Sequence, residues 1–223
     1  MVKRDKLSGK RVLVTSGPTR APIDAVRYIT NKSTGRLGAL IAEEALREGA
    51  EVTYIYGKGS VLPQVAESAS LRLVEVETVP ELMERVREEL EETNYHVIIH
   101  SMAVLDYVPE APMLEKVPSG QEEWQIKLVK TPKVIKMIRD LNPRAFLVGF
   151  KLEVGSSEEE LIGIAHRSLL ANKADLVVAN DLLQIEGGNH VGYLVNPEGE
   201  VVARAEGKEE IARRLVEIIG IRD

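Results

Sequence analysis

Residues 12–56 read VLVTSGPTRAPIDAVRYITNKSTGRLGALIAEEALREGAEVTYIY. The run at 12–15 is apolar and closes at a Gly-Pro pair, a pattern typical of a buried parallel strand. Residues 35–48 place leucine, isoleucine and alanine at helical spacing, and a glycine ends the helix. Residues 51–56 form the next strand. The stretch therefore predicts a β-α-β unit, whose crossover is right-handed in nearly all proteins.

The same alternation of strand and helix continues along the chain. Further strands are predicted at residues 71–76, 95–100, 145–150 and 175–179. Capping boxes at residues 78–81 and 157–160 and a Thr131-Pro132 opening predict three helices between them. Near the end, residues 193–195 and 201–203 flank an Asn-Pro-Glu-Gly turn, which predicts a hairpin before a last helix.

This order predicts an open, doubly wound α/β sheet, mostly parallel, with a C-terminal antiparallel hairpin. We expect one domain over residues 1–223, because no shift in composition marks a second. Two stretches, 16–34 and 105–124, break the alternation and are predicted as long loops. Loops of this length in a compact domain are usually functional.

Composition excludes several classes of protein. Lys and Arg number 29 and Asp and Glu 35, a net charge of −6, whereas a non-specific nucleic-acid binder needs a basic surface. The chain has no cysteine, so disulfides, thiol nucleophiles and cysteine-bound zinc are excluded. No apolar run reaches the ~18 residues of a membrane span, and the first residues do not resemble a signal peptide. We predict a soluble, cytoplasmic protein with neither nucleic acid nor membrane as partner.

Ligands of open α/β sheets bind beyond the carboxyl ends of the strands. After the first strand the chain has Gly17, and the following helix opens with Ser33 and Gly35 flanked by two basic residues. Exposed backbone N–H groups at such a helix start favour a phosphate, although an ordinary capped helix explains the pattern equally well. Neither the dinucleotide G-x-G-x-x-G pattern nor a Walker loop is present, which argues against a standard dehydrogenase or P-loop enzyme.

Two charged residues stand out in the second long loop. Asp106 lies a few residues beyond the strand that ends at His100, where a carboxylate can reach a ribose or a magnesium ion, or serve as a turn residue. Lys116 lies in a proline-rich stretch, where it can close over phosphates as a mobile cationic lid or stay solvated. The four histidines lack the spacing of a metal site.

Five blocks resemble the phosphopantothenoylcysteine synthetases, and the similarity covers essentially the whole chain. In order, the blocks are residues 14–38, 103–107 (AVLDY), 127–132 (KLVKTP), 148–153 (VGFKLE) and 174–181 (ADLVVAND). One such block is weak support, but five in the same order are highly specific.

The resemblance implies a Rossmann-like fold, a homodimer and a two-step ligase reaction of coenzyme A biosynthesis. The carboxylate of 4′-phosphopantothenate attacks the α-phosphate of a nucleoside triphosphate, which gives an acyl nucleotidylate and pyrophosphate. The amine of cysteine then displaces the nucleoside monophosphate. CTP or ATP is the implied co-substrate and Mg²⁺ the implied cofactor, with CTP favoured because the bacterial fused members use it.

The resemblance also implies roles for particular residues. Asn31 matches the asparagine that handles the activated acyl intermediate, and Lys116 matches the lysine of a flexible strap over the active site. Asp106 matches the nucleotide-binding edge and is the expected metal ligand. The full set expected to bind nucleotide is Gly17, Ser33, Gly35, His100, Ser101, Met102, Asp106, Lys116, Pro132, Lys133, Val134, Ile135, Phe150 and Lys173.

This chain departs from the family pattern in three respects. Its strap keeps the first lysine of Lys-x-Lys-Lys but continues Val117-Pro118-Ser119. In the helix before Asp175, Arg167 and Lys173 lie near the positions of a family lysine pair but not on them. Residues 1–223 contain no flavin decarboxylase domain, so the sequence leaves open a stand-alone synthetase or an excised domain.

Two alternatives to the ligase are retained. One is a nucleotide- or flavin-dependent oxidoreductase on the same type of sheet, against which the missing glycine pattern counts. The other is a non-catalytic nucleotide-binding module, against which Asn31, Asp106 and Lys116 together count.

Overall fold

The computed structural model describes residues 5–65, 70–120, 122–187 and 190–221. Twelve strands and six helices are assigned within these ranges. In chain order they are β1 (Arg11–Ser16), β2 (Arg20–Pro22), β3 (Tyr28–Thr30), α1 (Arg36–Arg47), β4 (Glu51–Gly57), β5 (Leu71–Val76), α2 (Val79–Glu92), β6 (Val97–His100), β7 (Tyr107–Pro109), β8 (Leu128–Lys130), α3 (Val134–Leu141), β9 (Phe146–Glu153), α4 (Glu158–Asn172), β10 (Leu176–Asp181), α5 (Leu182–Glu186), β11 (Val191–Val195), β12 (Val201–Glu206) and α6 (Lys208–Gly220).

Eight strands form one sheet in the order β12-β11-β10-β9-β6-β1-β4-β5. The six strands from β10 to β5 are parallel, whereas β11 and β12 add an antiparallel hairpin at one edge. The predicted fold class is therefore confirmed. The chain winds outward from β1 through β4 to β5 and from β6 through β9 to β10, so the winding direction reverses between β1 and β6.

Helices cover both faces of this sheet. The apolar faces of α1 and α6 pack with Val12, Val14 and other side chains on one face, and those of α2, α3 and α4 pack with Leu13 and others on the opposite face. The central strands are buried on both faces, which is why they read as continuous apolar runs rather than alternating ones. Within the described ranges, no helix has the length and apolar character needed to cross a bilayer.

The predicted capping boxes are confirmed at Thr78 and Ser157, but the predicted start of α3 is wrong. This helix begins at Val134, after the N-cap Lys133. Thr131 belongs to the preceding segment, because its Oγ1 donates to the carbonyl of Leu105 at 2.6 Å. Its N–H also donates to the carbonyl of Asp106 at 2.9 Å, so tertiary bonds hold it outside the helix.

The two stretches predicted as loops contain regular structure. The first carries the antiparallel pair β2–β3, and the second begins with β7, which pairs with β8 after an 18-residue excursion at 110–127. Strands of three residues are too short to show an alternating pattern, so only tertiary pairing reveals them. The short helix α5 was also missed, although Asp181 caps it.

A buried polar contact joins the two central strands. Thr15 on β1 lies opposite His100 on β6, and Thr15 Oγ1 is 2.7 Å from His100 Nδ1. Burial lowers the pKa of His100 from 6.5 to about 4, because the charged imidazolium loses its hydration. The imidazole is therefore neutral at physiological pH.

This burial predicts a loss of stability in mild acid. The unfolded chain takes up a proton on this histidine near pH 6.5 and the folded chain only near pH 4. Stability is thus complete above pH 6.5 and falls between 6.5 and 4, by up to about 3 kcal/mol at ~1.4 kcal/mol per pH unit. Urea unfolding of His100→Gln should show a flatter dependence on pH across this window. His166→Gln is the control, a half-buried histidine on α4 whose Nε2 lies 2.9 Å from the carbonyl of Pro197. Equal slopes for the wild type and His100→Gln would contradict the assignment.

Candidate functional site

The loops that follow β1 and β6 are bonded to each other at the reversal of the sheet. The N–H of Ala103 donates to the carbonyl of Gly17 at 2.8 Å, and the N–H of Thr19 donates to the carbonyl of Ala103 at 3.3 Å. Thr19 Oγ1 also accepts from the N–H of Leu105 at 3.0 Å. These bonds hold together the loops after β1 and β6, which we call the rim. The rim lies at the position where open α/β sheets bind ligands.

Asn31 follows β3 directly and also contacts this rim. Its side-chain Nδ2 donates to the carbonyl of Ala103 at 3.0 Å. An amide NH₂ group carries two donor hydrogens, so this bond orients the group and leaves its second hydrogen for another acceptor. The structure thus places Asn31 beside the segment that follows β6, about 70 residues away in sequence.

The start of α1 is packed closely against the end of β1. Gly17 and Gly35 have φ values of +78° and +75°, and a Cβ on Gly35 would lie 3.3 Å from the Cα of Gly17. The N–H of Arg36, the first of the helix, donates to Thr34 Oγ1 at 3.4 Å. Gly35 itself is the N-cap of α1 and supplies no side-chain cap to the N–H groups that follow. This is the geometry that favours an anion. Ser33 lies just before it, its N–H bonded to the carbonyl of Asn31 at 2.8 Å.

Ser101 has a structural bond at the same rim. Its Oγ donates to the carbonyl of Thr15 at 2.8 Å, while Ser16 Oγ donates to the carbonyl of Gly35 at 3.0 Å. A Cβ on Gly38 would lie 2.1 Å from Ser16 Oγ and 2.8 Å from Ser101 Oγ. Gly38 therefore allows α1 to approach both serines. Sequence reasoning did not assign it a role, although it lies inside the first matching block.

A cleft of about 320 Å³ extends from this rim between α3, α4 and the strands β9 and β10. Ala103, whose carbonyl holds Asn31, is part of its wall. Eight of the predicted nucleotide-binding residues line it: His100, Met102, Asp106, Pro132, Lys133, Val134, Ile135 and Phe150. Its lining exposes more polar than apolar surface, so the cleft offers a ligand mainly charged and hydrogen-bonding contacts.

The cleft is also lined by residues that the sequence analysis did not predict. Ser168 and Asn172 stand one turn apart on α4 and face it, and Gly149 lies on β9, where a Cβ would come within 3.1 Å of Ile135 Cδ1. The i, i+4 spacing of the two polar residues was the available signal.

Lys173 is not in the cleft. It is the C-cap of α4 in a left-handed conformation, and it lines a separate depression with Arg139 and Asp175. Its carbonyl accepts from Arg139 Nε at 2.8 Å. The helix turns the residue after Asn172 away from the cleft, so the expected contact of Lys173 with nucleotide has no support in the geometry.

Asp106 at the mouth of the cleft is paired with Lys133. The distance from Lys133 Nζ to Asp106 Oδ1 is 2.6 Å, and both side chains are about half exposed. Among the described residues, no group of three or more histidine and acidic side chains could hold a metal ion. Asp106 is thus a single carboxylate already in contact with a cation, which does not make a metal site on its own.

Lys116 lies outside the cleft lining, on the segment 110–126, which we call the strap. The side chain is exposed, and the next residue, Val117, is buried. The structure gives no direct contact between Lys116 and Asn31.

Comparison with known proteins gives a consistent result. Residues 7–221 match the family described as the DNA/pantothenate metabolism flavoprotein C-terminal domain. The coenzyme A biosynthesis bifunctional protein CoaBC of Thermococcus kodakarensis is 44% identical over 209 residues, which are 94% of this chain and 50% of that protein. The chain thus spans about half the length of the curated relatives it matches.

Solved structures share the fold. The DNA/pantothenate metabolism flavoprotein from Streptococcus pneumoniae superposes with a TM-score of 0.87 at 35% identity, over 96% of this chain and 100% of the other. A variant of Cab2 in complex with phosphopantothenate-cysteine superposes with a TM-score of 0.77 at 21% identity, over 99% and 87% of the two chains. The match over residues 7–221 establishes that this chain belongs to the DNA/pantothenate metabolism flavoprotein C-terminal domain family.

Proposed function

We propose that this chain is a phosphopantothenate–cysteine ligase of coenzyme A biosynthesis. The observation that carries the proposal is the meeting of Asn31 with the cleft at Ala103, in a chain similar to CoaBC proteins over nearly its whole length. The phosphopantothenate-cysteine held by the Cab2 variant is the product that this reaction forms.

In this proposal the cleft holds the nucleoside triphosphate. Phe150, Val134 and Ile135 supply apolar surface for the base and sugar, and Lys133 supplies a positive charge at the mouth. The phosphates extend toward the start of α1, where the N-cap Gly35 has no side chain to compete with an anion for the helix N–H groups. The path passes Ala103, and hence Asn31.

The chemistry has two displacements. A carboxylate oxygen of phosphopantothenate attacks the α-phosphorus, and the bond from that phosphorus to the bridging oxygen breaks to release pyrophosphate. The cysteine nitrogen then attacks the acyl carbon, loses a proton, and expels the nucleoside monophosphate. Negative charge develops on the acyl oxygen in the second step, and the free amide hydrogen of Asn31 is suited to stabilise it.

The choice of nucleotide and metal is part of the proposal. We favour CTP over ATP because the bacterial members of the family that the chain resembles favour CTP. Mg²⁺ is proposed as the ion that accompanies the phosphates, because magnesium is commonly held by one or two carboxylates plus substrate oxygens. Asp106 could contribute such an oxygen through Oδ2, since Lys133 contacts Oδ1. A cytoplasmic location stays a prediction.

Neither alternative gains from the structure. The loop after β1 is fixed by Ala103 and lacks the dinucleotide glycine pattern, and the comparisons do not favour an oxidoreductase. A non-catalytic module would not require an oriented Asn31 amide with a second hydrogen available for a ligand. The assays below separate it from the ligase.

A homodimer is supported by the distribution of exposed apolar side chains. Among the described residues, seven of the seventeen exposed large apolar side chains lie on the two small sheets, the turn between β2 and β3, and the strap: Val26, Tyr28, Tyr107, Met113, Leu114, Ile126 and Leu128. Exposed apolar side chains gathered in one region are typical of an interaction surface. We propose a second copy of this chain as the partner.

The first prediction from the proposed function concerns the products. Purified protein with phosphopantothenate, cysteine, Mg²⁺ and either CTP or ATP should release pyrophosphate and nucleoside monophosphate in equal amounts, faster with CTP. Omission of phosphopantothenate is the control for nucleotide hydrolysis. Release of nucleoside diphosphate and phosphate would refute the acyl-nucleotidylate route, and faster turnover with ATP would refute the preference for CTP.

The second prediction separates Asn31 from Lys116. Asn31→Asp loses the amide donor and should slow amide formation about a hundred- to a thousand-fold while the protein stays folded. Lys116→Gln should still release some pyrophosphate but accumulate the acyl nucleotidylate, detectable by mass spectrometry, because the strap no longer retains the intermediate.

The matched controls are Asn94→Asp and Lys136→Gln, two exposed residues outside the cleft lining. Near-normal turnover of either site variant would contradict its assigned role. Loss of nucleotide binding in Lys116→Gln, with no intermediate formed, would transfer Lys116 to nucleotide binding.

The third prediction concerns assembly. Light scattering should give a mass about twice the 24.7 kDa of one chain. Leu128→Glu places a charge on the exposed surface of β8 and should shift the protein toward monomer, whereas Leu170→Glu on α4, exposed to a similar degree, should not. A monomeric wild type at micromolar concentration would rule out the dimer.

A further inference from the structure

The strap has one buried residue among those that the structure describes. Within 110–126 the described residues are exposed, except for the half-buried Trp124 and for Val117, which is 9% exposed. Val117 is the neighbour of Lys116. The point at which the strap is held therefore lies next to the residue that the proposed function assigns to the intermediate.

Both backbone groups of Val117 are held by one turn. Its N–H donates to Asp24 Oδ2 at 3.1 Å, and its carbonyl accepts from Arg27 Nη2 at 2.7 Å. Pro118 follows, and a residue before proline is confined to extended conformations. Position and conformation are thus fixed together, and Lys116 is attached directly to this fixed unit.

The carboxylate of Asp24 also holds its own turn. Its Oδ1 accepts from the N–H groups of Val26 and Arg27 at 2.9 and 2.8 Å, and the residue is 3% exposed. Burial alone would raise its pKa, but the N–H donors of Val26, Val117 and Arg27 and the Arg27 charge outweigh it, so the pKa is lowered. The carboxylate is therefore ionised at neutral pH.

Other contacts from the same turn extend the attachment. The N–H of Met113 donates to the carbonyl of Ile23 at 2.9 Å, and the guanidinium of Arg27 lies 5.0 Å from the ring centroid of Trp124. The turn continues through β3 directly into Asn31. One short segment thus connects Asn31 with the strap that carries Lys116.

We infer that Asp24 is a positioning residue for this ligase, which sets the place of Lys116 relative to Asn31 by holding the backbone of Val117. The inference rests on the proposed function for its catalytic consequence. The contact itself does not depend on that function. Asp24 touches no substrate in this assignment, and its effect on turnover passes through Lys116.

The contact is tested first without any substrate. Hydrogen exchange in Asp24→Ala should be faster for peptides that contain Val117, because the N–H loses its acceptor. Asp24→Asn keeps an acceptor oxygen and should show an intermediate rate. Asp181→Ala is the matched control, since Asp181 is also buried and accepts N–H groups of Ser156 and Leu183 in another loop. Unchanged exchange in Asp24→Ala would overturn the inference.

The positioning role is tested by a double-mutant cycle. Asp24→Ala should lower kcat about tenfold or more in the wild type and accumulate acyl nucleotidylate, with a smaller change in KM. In the Lys116→Gln background the same change should cost about twofold or less, because coupled residues are not additive. Equal losses in both backgrounds, or the same intermediate in Asp181→Ala, would mean that Asp24 acts only on stability.

The two proposals fail in different ways. An inactive wild type with every nucleotide would refute the ligase, and with it the positioning role, while hydrogen exchange would still decide whether Asp24 holds the strap. An active wild type with additive losses would leave the ligase standing and refute the role of Asp24.

Discussion

The backbone of Ala103 is the contact on which the site depends. Its N–H is bonded to Gly17, and its carbonyl accepts from both Thr19 and Asn31. These three bonds join the segments after β1 and β6 where the sheet reverses its winding, and they orient the Asn31 amide. A buried backbone group must find partners, so the loops cannot separate without a cost comparable to several lost hydrogen bonds. The residue's side chain has no part in this, which is why its identity gives so little indication of its importance.

Close approach of backbone to backbone is the second requirement. Gly35 and Gly38 let the start of α1 come against the ends of β1 and β6, and Gly17 leaves room for Ser60. Two of the three adopt positive φ values, a conformation that other residues rarely take. The result is a helix N-terminus packed against the rim, a few residues beyond Asn31 in the chain. A Cβ on Gly38 would displace Ser16 and Ser101, the serines that hold the rim.

The charge of the protein is arranged locally rather than globally. The chain carries a net charge of −6, yet the proposed substrates are anionic. Lys133 stands at the mouth of the cleft and is matched by Asp106, so an arriving phosphate can replace the carboxylate as its partner. Lys116 is exposed on the strap, and its neighbour is fixed by Asp24. The protein thus offers cations at two points without a basic surface, which is consistent with a small anionic ligand rather than nucleic acid.

Much of the fold could be predicted from sequence because its signals are local. Apolar runs, helical spacing, and the capping boxes at Thr78 and Ser157 indicated nearly every long strand and helix, and the turn at residues 196–199 indicated the hairpin. The family resemblance also brought eight residues of the cleft into the predicted set. Each of these features is written within a few neighbouring residues.

Tertiary structure decided what depends on distant residues. Thr131 is held outside α3 by bonds to Leu105 and Asp106, β2–β3 and β7–β8 exist only through pairing, and Lys173 is turned from the cleft by the end of α4. Asn31 meets Ala103 about 70 residues away, and Asp24 meets Val117 about 90 residues away. No local pattern encodes such contacts, because their free energy exists only when the sheet has already brought the segments together.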